Sequence, residues 1–192
     1  MGLQNAKASP AKRSNVVMLG LDWAGKSTLL CRLRHRDAFL TVPTVGFNVD
    51  MIPVGKDFTL TFWDVGGQKK MREQWGSFLE EETDALLFVV DSHDKRRLEE
   101  ARRELELVLK NESIRNVPVV VLANKQDLPG ALNAEEVTRR LKMKKHCSDR
   151  NWYVQPCCAT TGQGLPEALH RVATFARQYR KSKETFTTLR EF

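Results

Sequence analysis

Hydrophobic residues form short continuous runs that alternate with helically spaced segments from residue 15 onward. The continuous runs at 16–19, 85–90 and 117–122 are typical of strands that are buried on both faces. Helices are predicted by their apolar spacing at residues 27–34, 97–109, 134–141 and 165–179.

A β-hairpin is predicted around the turn Gly55-Lys56-Asp57, which separates strands at 47–52 and 58–62. A last strand is predicted at 152–155. The alternation of strands and helices predicts an α/β fold with a six-stranded, mainly parallel sheet and helices on both faces. The hairpin should make one edge strand antiparallel.

The domain organisation follows from length and polarity. A chain of 192 residues fits one domain, expected at 15–180. Residues 1–14 are polar and lack periodicity, which indicates an N-terminal arm, and 181–192 form a short polar, basic tail. No apolar stretch reaches the ~20 residues that span a bilayer. The first 15 residues lack the apolar core of a secretory signal, so a cytoplasmic protein is expected.

The net charge of +7 raises the question of a nucleic-acid partner. No nucleic-acid-binding signature is present, and no aromatic residues are interleaved with the basic ones, so this partner is not expected. A solvated basic surface is favoured, and attraction to an anionic membrane surface is the alternative. The four cysteines show no disulfide or metal-ligand pattern and are expected to be free thiols.

Candidate chemistry begins with the pattern G-x-x-x-x-G-K-[ST] between the first predicted strand and helix, where it forms a phosphate-binding loop. Backbone N–H groups and the helix N-terminus favour negative charge there. Lys26 is expected on the β and γ phosphates, and the Ser27 hydroxyl on Mg²⁺. Alone, the pattern leaves ATPases, nucleotide kinases and GTPases open. The residues expected to bind nucleotide here are Gly20, Leu21, Asp22, Trp23, Ala24, Gly25, Lys26, Ser27 and Thr28.

The tetrapeptide Asn124-Lys125-Gln126-Asp127 follows a predicted strand and narrows the base to guanine. The Asp127 carboxylate can accept hydrogen bonds from guanine N1–H and its N2 amine, whereas adenine offers an acceptor at N1 and no amine at C2. Polar groups left unpaired make such discrimination large. Asn124 is expected to tie this loop to the phosphate loop, and the Lys125 stem to cover the base.

Three further segments complete the predicted site. Asp64 closes a hydrophobic strand and is expected to hold Mg²⁺ through a water, while the Gly67 N–H should contact the γ-phosphate and Gln68 should orient the attacking water. Thr44, in a loop after Pro43, is expected to complete the Mg²⁺ shell when GTP is bound. The Ala159 N–H, beside Cys158, is expected to meet guanine O6.

The ordered set GLDWAGKST, PTVGFNVD, WDVGGQ, NKQD and CAT resembles the ADP-ribosylation factor (Arf) family and its Arf-like branch, from about residue 15 to 179. The resemblance implies a P-loop small G-domain in which the two strands between the switch segments slide as the nucleotide changes. It also implies an effector surface made by Phe47, Trp63 and Phe78, the last of which is commonly tyrosine. Exchange factors, activating proteins and effectors are the implied partners of a monomer.

The chain departs from this family pattern at a few positions. Trp23 stands where a small residue is usual, and three positions are open for its indole: exposed to solvent, resting on a neighbouring loop, or covering the nucleotide. The carboxylate of Asp22 is usual for the family and, near the γ-phosphate, fits slow unaided hydrolysis. Gly2 is in place for N-myristoylation, although Ala6 replaces the preferred Ser or Thr. A single myristoyl chain binds membranes only marginally and reversibly.

The function expected from these residues is a GTP/GDP switch that hydrolyses GTP slowly, with Lys26, Thr44 and Gln68 as catalytic residues. It is expected to recruit effectors to membranes or vesicles in trafficking. No arginine in cis is evident, so an activating protein is expected to supply one. The alternative is a membrane scaffold that stays loaded with GTP, and Trp23 keeps this alternative open. A P-loop kinase lacks an acceptor lid and leaves Asp127 unexplained.

Overall fold

The computed structural model describes residues 12–35, 44–80 and 82–190. Its strands are β1 (Lys12–Leu19), β2 (Phe47–Pro53), β3 (Phe58–Val65), β4 (Thr83–Asp91), β5 (Val119–Asn124) and β6 (Trp152–Pro156). Its α-helices are α1 (Lys26–His35), α2 (Lys69–Arg72), α3 (Leu98–Leu109), α4 (Ala134–Arg140), α5 (Met143–His146) and α6 (Leu165–Arg190). Two short 3-10 helices cover Trp75–Phe78 and Glu112–Ile114.

The strands form one six-stranded sheet in the order β2-β3-β1-β4-β5-β6. β2 pairs antiparallel with β3, and every other neighbouring pair is parallel. The predicted six-stranded, mainly parallel sheet with an antiparallel edge strand is therefore confirmed. In a parallel sheet the carboxyl ends of the strands share one edge, where ligands bind in such folds.

β4 and β5 are buried on both sides because helices cover both faces of the sheet. On one face, α3 packs through Leu98, Ala101, Leu105 and Val108. On the other face, α1 and α6 contribute a second apolar cluster that includes Leu29 and Val172. This three-layer arrangement fixes the strands whose carboxyl ends carry the polar segments.

Two elements extend beyond the predicted segments. β1 begins at Lys12 because its polar first half pairs with Phe58–Thr61 of β3, and backbone pairing does not require apolar side chains. α6 continues through the predicted tail to Arg190. Within this extension, the Ser182 and Thr185 hydroxyls donate to carbonyl oxygens one turn earlier. The division into arm, domain and tail remains a prediction.

Within the described ranges, no helix combines the length and the apolar character that crossing a bilayer requires.

Candidate nucleotide site

The phosphate loop joins the carboxyl end of β1 to the start of α1 and depends on its glycines. Gly20 has φ +147°, and a Cβ there would lie 2.2 Å from the Val89 carbonyl oxygen, so a side chain does not fit. Gly25 has φ +96°, and its Cβ would meet the Asn124 amide nitrogen at 2.4 Å. The loop therefore lies directly against β4 and the end of β5.

Lys26 is buried at the first position of α1. Its Nζ donates to the carbonyl oxygens of Gly20 at 2.8 Å and Leu21 at 3.1 Å, which places its charge inside the loop. Burial lowers the pKa of Lys26 to about 8, although the nearby Asp64 carboxylate acts in the opposite direction. A bound phosphate would favour the charged form of this amine.

Three oxygen-bearing side chains from separate segments converge beside Lys26. The Ser27 hydroxyl lies 2.8 Å from the Thr44 hydroxyl and donates to Asp64 Oδ2 at 2.8 Å. Burial raises the pKa of Asp64. Its Oδ1 is buried without a hydrogen-bond partner in the described part of the chain. Hydroxyl and carboxylate oxygens are the ligands that Mg²⁺ prefers, so these residues fit the predicted ion.

Gly67 packs tightly on the phosphate loop. A Cβ at this position would lie 2.4 Å from both Asp22 N and Gly20 O, so only glycine fits. Its carbonyl oxygen accepts from the Asp22 N–H at 3.1 Å, whereas its own N–H donates no hydrogen bond within the described ranges. Gln68 is exposed at the N-terminus of α2 and makes no cap hydrogen bond with its side chain. The γ-phosphate contact and the water-orienting role remain predictions.

Asn124 joins the phosphate loop to the loop after β6. Its Nδ2 donates to the Ala24 carbonyl oxygen at 2.8 Å, which is the predicted tie to the phosphate loop. Its Oδ1 accepts from the Ala159 N–H at 2.9 Å. The Ala159 N–H is thus already paired, and its contact with guanine O6 remains a prediction that requires this bond to be shared.

A cavity of about 170 Å³ lies beside these loops and is lined by Thr28, Asp127, Leu128 and Cys158, among others. Cys158 Sγ donates to Asp127 Oδ1 at 3.1 Å. The Lys125 ammonium forms an ion pair with Asp91 at 2.6 Å, which holds the Lys125 stem in place. The cavity brings together residues predicted to bind guanine, and base recognition there remains a prediction.

Trp23 is 70% exposed and does not line this cavity. Instead it flanks a small cavity next to Asp94, Arg97 and Leu98 at the start of α3. Its φ of +65° is a left-handed conformation that costs a residue with a Cβ about 1–2 kcal/mol. Of the three positions considered for the indole, the exposed one is observed.

Asp22 has partners that the sequence did not reveal. Its Oδ1 accepts from Arg97 Nη2 at 2.7 Å and from Arg72 Nη2 at 3.0 Å. Partial burial opposes ionisation, but the Arg97 hydrogen bond and charge prevail, so the pKa of Asp22 is lowered. These arginines were missed because they lie far along the chain in charged helical segments, which usually face solvent.

The three aromatic residues implied by the resemblance lie together on the surface. The Phe47 and Trp63 rings stack with centroids 5.6 Å apart, and Phe47 meets Phe78 edge-on at 5.2 Å. Phe47 remains 48% exposed. The predicted lipidation residue Gly2 lies outside the described residues, as does Pro43.

Comparisons with known proteins agree with this geometry. The chain is 52% identical over 192 residues to the mouse ADP-ribosylation factor-like protein 14, with all of both chains covered. A solved structure of the Arl6 (BBS3) small GTPase from Trypanosoma brucei, with the nucleotide analogue GppNp bound, is also similar. It is 32% identical, covers 88% of this chain and 99% of that chain, and superimposes with a TM-score of 0.80. The profile of the ADP-ribosylation factor family matches residues 3–175. The chain therefore has the fold of a P-loop small GTPase and belongs to the ADP-ribosylation factor family.

Proposed function

We propose that this protein is a molecular switch that cycles between GDP and GTP, hydrolyses GTP slowly, and recruits effectors to membranes in vesicle trafficking. Proteins of its family are GTP-binding, and GTPases of this fold generally use Mg²⁺. The observation that carries the proposal is the convergence of Ser27, Thr44 and Asp64 across separate segments. Thr44 belongs to a separate loop and not to the phosphate loop itself. An ion bound here therefore has its full set of ligands only when the Thr44 loop is in place.

Slow unaided hydrolysis is supported by the surroundings of Gln68. Its side chain is exposed at the start of α2, so the described chain does not fix it in front of a water. The two arginines near the phosphate loop, Arg72 and Arg97, are occupied by carboxylates. An activating protein that orders Gln68 and supplies a free arginine would accelerate the reaction by about 10³ to 10⁵.

Effector recruitment is supported by the surface aromatic cluster of Phe47, Trp63 and Phe78, of which Phe47 is exposed and the other two are half-buried. Phe47 begins β2 and follows Thr44 closely, while Trp63 precedes Asp64 on β3. Aromatic residues are enriched at the energetic centres of protein interfaces. The cluster therefore lies where a partner would contact the segments that carry the metal ligands.

Membrane association is proposed to be peripheral and reversible, from the cytoplasmic side of membranes or vesicles. It rests on Gly2 as the acceptor of a myristoyl chain and on the net charge of +7. One acyl chain alone binds marginally, and basic residues add about 1 kcal/mol each near an anionic surface.

Single-turnover hydrolysis of GTP, with and without cell extract, tests the switch against a scaffold that stays loaded with GTP. A switch should show slow turnover that extract accelerates. Gln68→Leu should bind GTP normally and lose the acceleration, while Gln178→Leu, at an exposed position of α6, serves as a matched control outside the predicted nucleotide site. Absence of hydrolysis in the presence of extract would favour the scaffold.

A further inference from the structure

Asp22 is bound by two arginines of other segments. Arg97 holds it twice, through Nη2 to the carboxylate at 2.7 Å and through Nη1 to the backbone carbonyl oxygen at 3.2 Å. Arg72 adds a third contact to the same carboxylate oxygen at 3.0 Å. The acidic side chain of the phosphate loop is thus neutralised by protein groups.

Arg72 is the most enclosed member of this group, with only 5% of its side chain exposed. Its Nε donates to the Gly67 carbonyl oxygen at 2.7 Å, and its Nη1 donates to Glu100 at 2.7 Å. One guanidinium therefore touches the phosphate loop, the Gly67 segment and α3. A buried guanidinium that loses a partner is costly, so the contacts depend on one another.

Glu100 closes the arrangement into a ring. Its Oε1 accepts from Arg72, and its Oε2 accepts from Arg97 Nε at 2.8 Å. The Arg97 hydrogen bond is the main cause that lowers the pKa of Glu100 to about 2, so this carboxylate stays charged across the physiological range. Glu100 lies on α3 and has no contact with the phosphate loop backbone among its described bonds.

We propose that Asp22, Arg72, Glu100 and Arg97 form a latch that holds Gly67 on the phosphate loop and selectively stabilises the GTP-bound state. Arg72 is the positioning residue of this latch. The inference rests on the proposed function, since it concerns which nucleotide the switch favours.

The preference for GTP follows from what the latch fixes. The Gly67 carbonyl is held from two sides, by Arg72 Nε and by the Asp22 N–H. Its neighbouring N–H is thereby kept close to the loop that surrounds the phosphates. GTP offers a γ-phosphate to that N–H and GDP does not, so a group that places Gly67 stabilises the GTP complex more.

The same contacts connect the nucleotide to α3. When Gly67 leaves the loop, Arg72 loses its Nε acceptor, and the pairing of Glu100 and Arg97 changes with it. The state of the nucleotide is therefore coupled to the start of α3 through side chains that do not touch the phosphates.

Dissociation of labelled GDP and of a labelled non-hydrolysable GTP analogue from Glu100→Gln and Arg72→Gln tests the latch. The analogue should leave about fivefold faster or more, the lower range of coupling between linked sites, while GDP release stays within about twofold. Glu99→Gln is the matched control, because Glu99 precedes Glu100 on the same helix and pairs with the arginines 102 and 103 away from the loop. It should change neither rate.

The ratio of the two rates separates the outcomes. Equal acceleration of both nucleotides, or of neither, would overturn the latch, because a merely structural role moves both together. If Arg72→Gln does not fold, Glu100→Gln carries the test, since it retains an acceptor of the same shape. A parent protein that binds neither nucleotide would refute the proposed function instead.

Discussion

The thiol of Cys158 donates a hydrogen bond to the carboxylate of Asp127 at 3.1 Å, so a cysteine orients the side chain that is predicted to recognise guanine. Asp127 itself is exposed at the mouth of its cavity. Without this contact its side chain would be free to rotate into solvent. Orientation of a base-reading carboxylate by a neighbour limits the entropy lost when the base binds.

Replacing Asp127 with Asn should lower GTP affinity by a few kcal/mol, because an amide donor would then face the donors of guanine. Fluorescent nucleotide titration measures this directly. Cys158→Ala should weaken binding by about 1 kcal/mol while leaving the choice of guanine unchanged. Tight GTP binding by Asp127→Asn would show that the cavity is not the guanine pocket.

Nucleotide binding should draw a proton onto Lys26 near pH 8. Its pKa of about 8 without phosphate lies below the ordinary value of 10.5, and phosphate raises it again. Binding of the nucleotide should therefore take up about a tenth of a proton at about pH 7 and about half a proton at about pH 8. The affinity of the protein for the nucleotide should fall as the pH rises. Calorimetry with Mg–GDP in buffers of different ionisation enthalpy measures the uptake. Equal uptake at both pH values would exclude this pKa.

Trp23→Ser should change GDP release by less than about twofold, because the indole is exposed and lies outside the base cavity. Trp23→Gly should in addition raise the free energy of unfolding by up to about 1–2 kcal/mol, since glycine adopts the positive φ without strain. Stopped-flow release of labelled GDP measures the change in release rate, and thermal unfolding measures the change in stability. Release that becomes several-fold faster would indicate that the ring covers the nucleotide.

Phe47→Ala should reduce effector binding by the GTP-bound protein about 30-fold, equivalent to about 2 kcal/mol for a residue at an interface centre. Leu107→Ala is a suitable control, because Leu107 is exposed on α3, away from the aromatic cluster. Binding of a purified effector to both variants, loaded with the same analogue, provides the comparison. An equal loss in the two variants would contradict the placement of the effector surface.

The central strands were predictable from the sequence because β4, β5 and the second half of β1 are continuous apolar runs, whose exposure to water would be unfavourable. The start of β1 and the end of α6 were not, since Lys12–Asn15 are polar and the residues after Tyr179 are mostly polar or charged. They are ordered by backbone pairing and by helix continuation, for which side-chain hydrophobicity is no guide.

The residues of the candidate site also fall into two groups, those that the sequence predicted and those that it did not. Asn124 stands in a motif at a strand end, and its contact with the phosphate loop matched expectation. Lys26 also stands in a motif and lies inside the loop, while its contact with the phosphates remains a prediction. Arg72 and Arg97 belong to no such motif, and nothing in the local sequence distinguishes them from the solvent-facing arginines of α3. Only their distance to Asp22 in three dimensions gives them a role.

Trp63 and Asp64 are neighbours on β3, and neighbouring residues of a strand point to opposite sides of the sheet. One carries an indole to the outer aromatic cluster, and the other carries a buried carboxylate to the candidate ion site. Because they are joined by a peptide bond, any movement of this strand displaces both residues together. The position of the aromatic cluster is then coupled directly to the ion site through one strand, and no rearrangement of the core has to connect them.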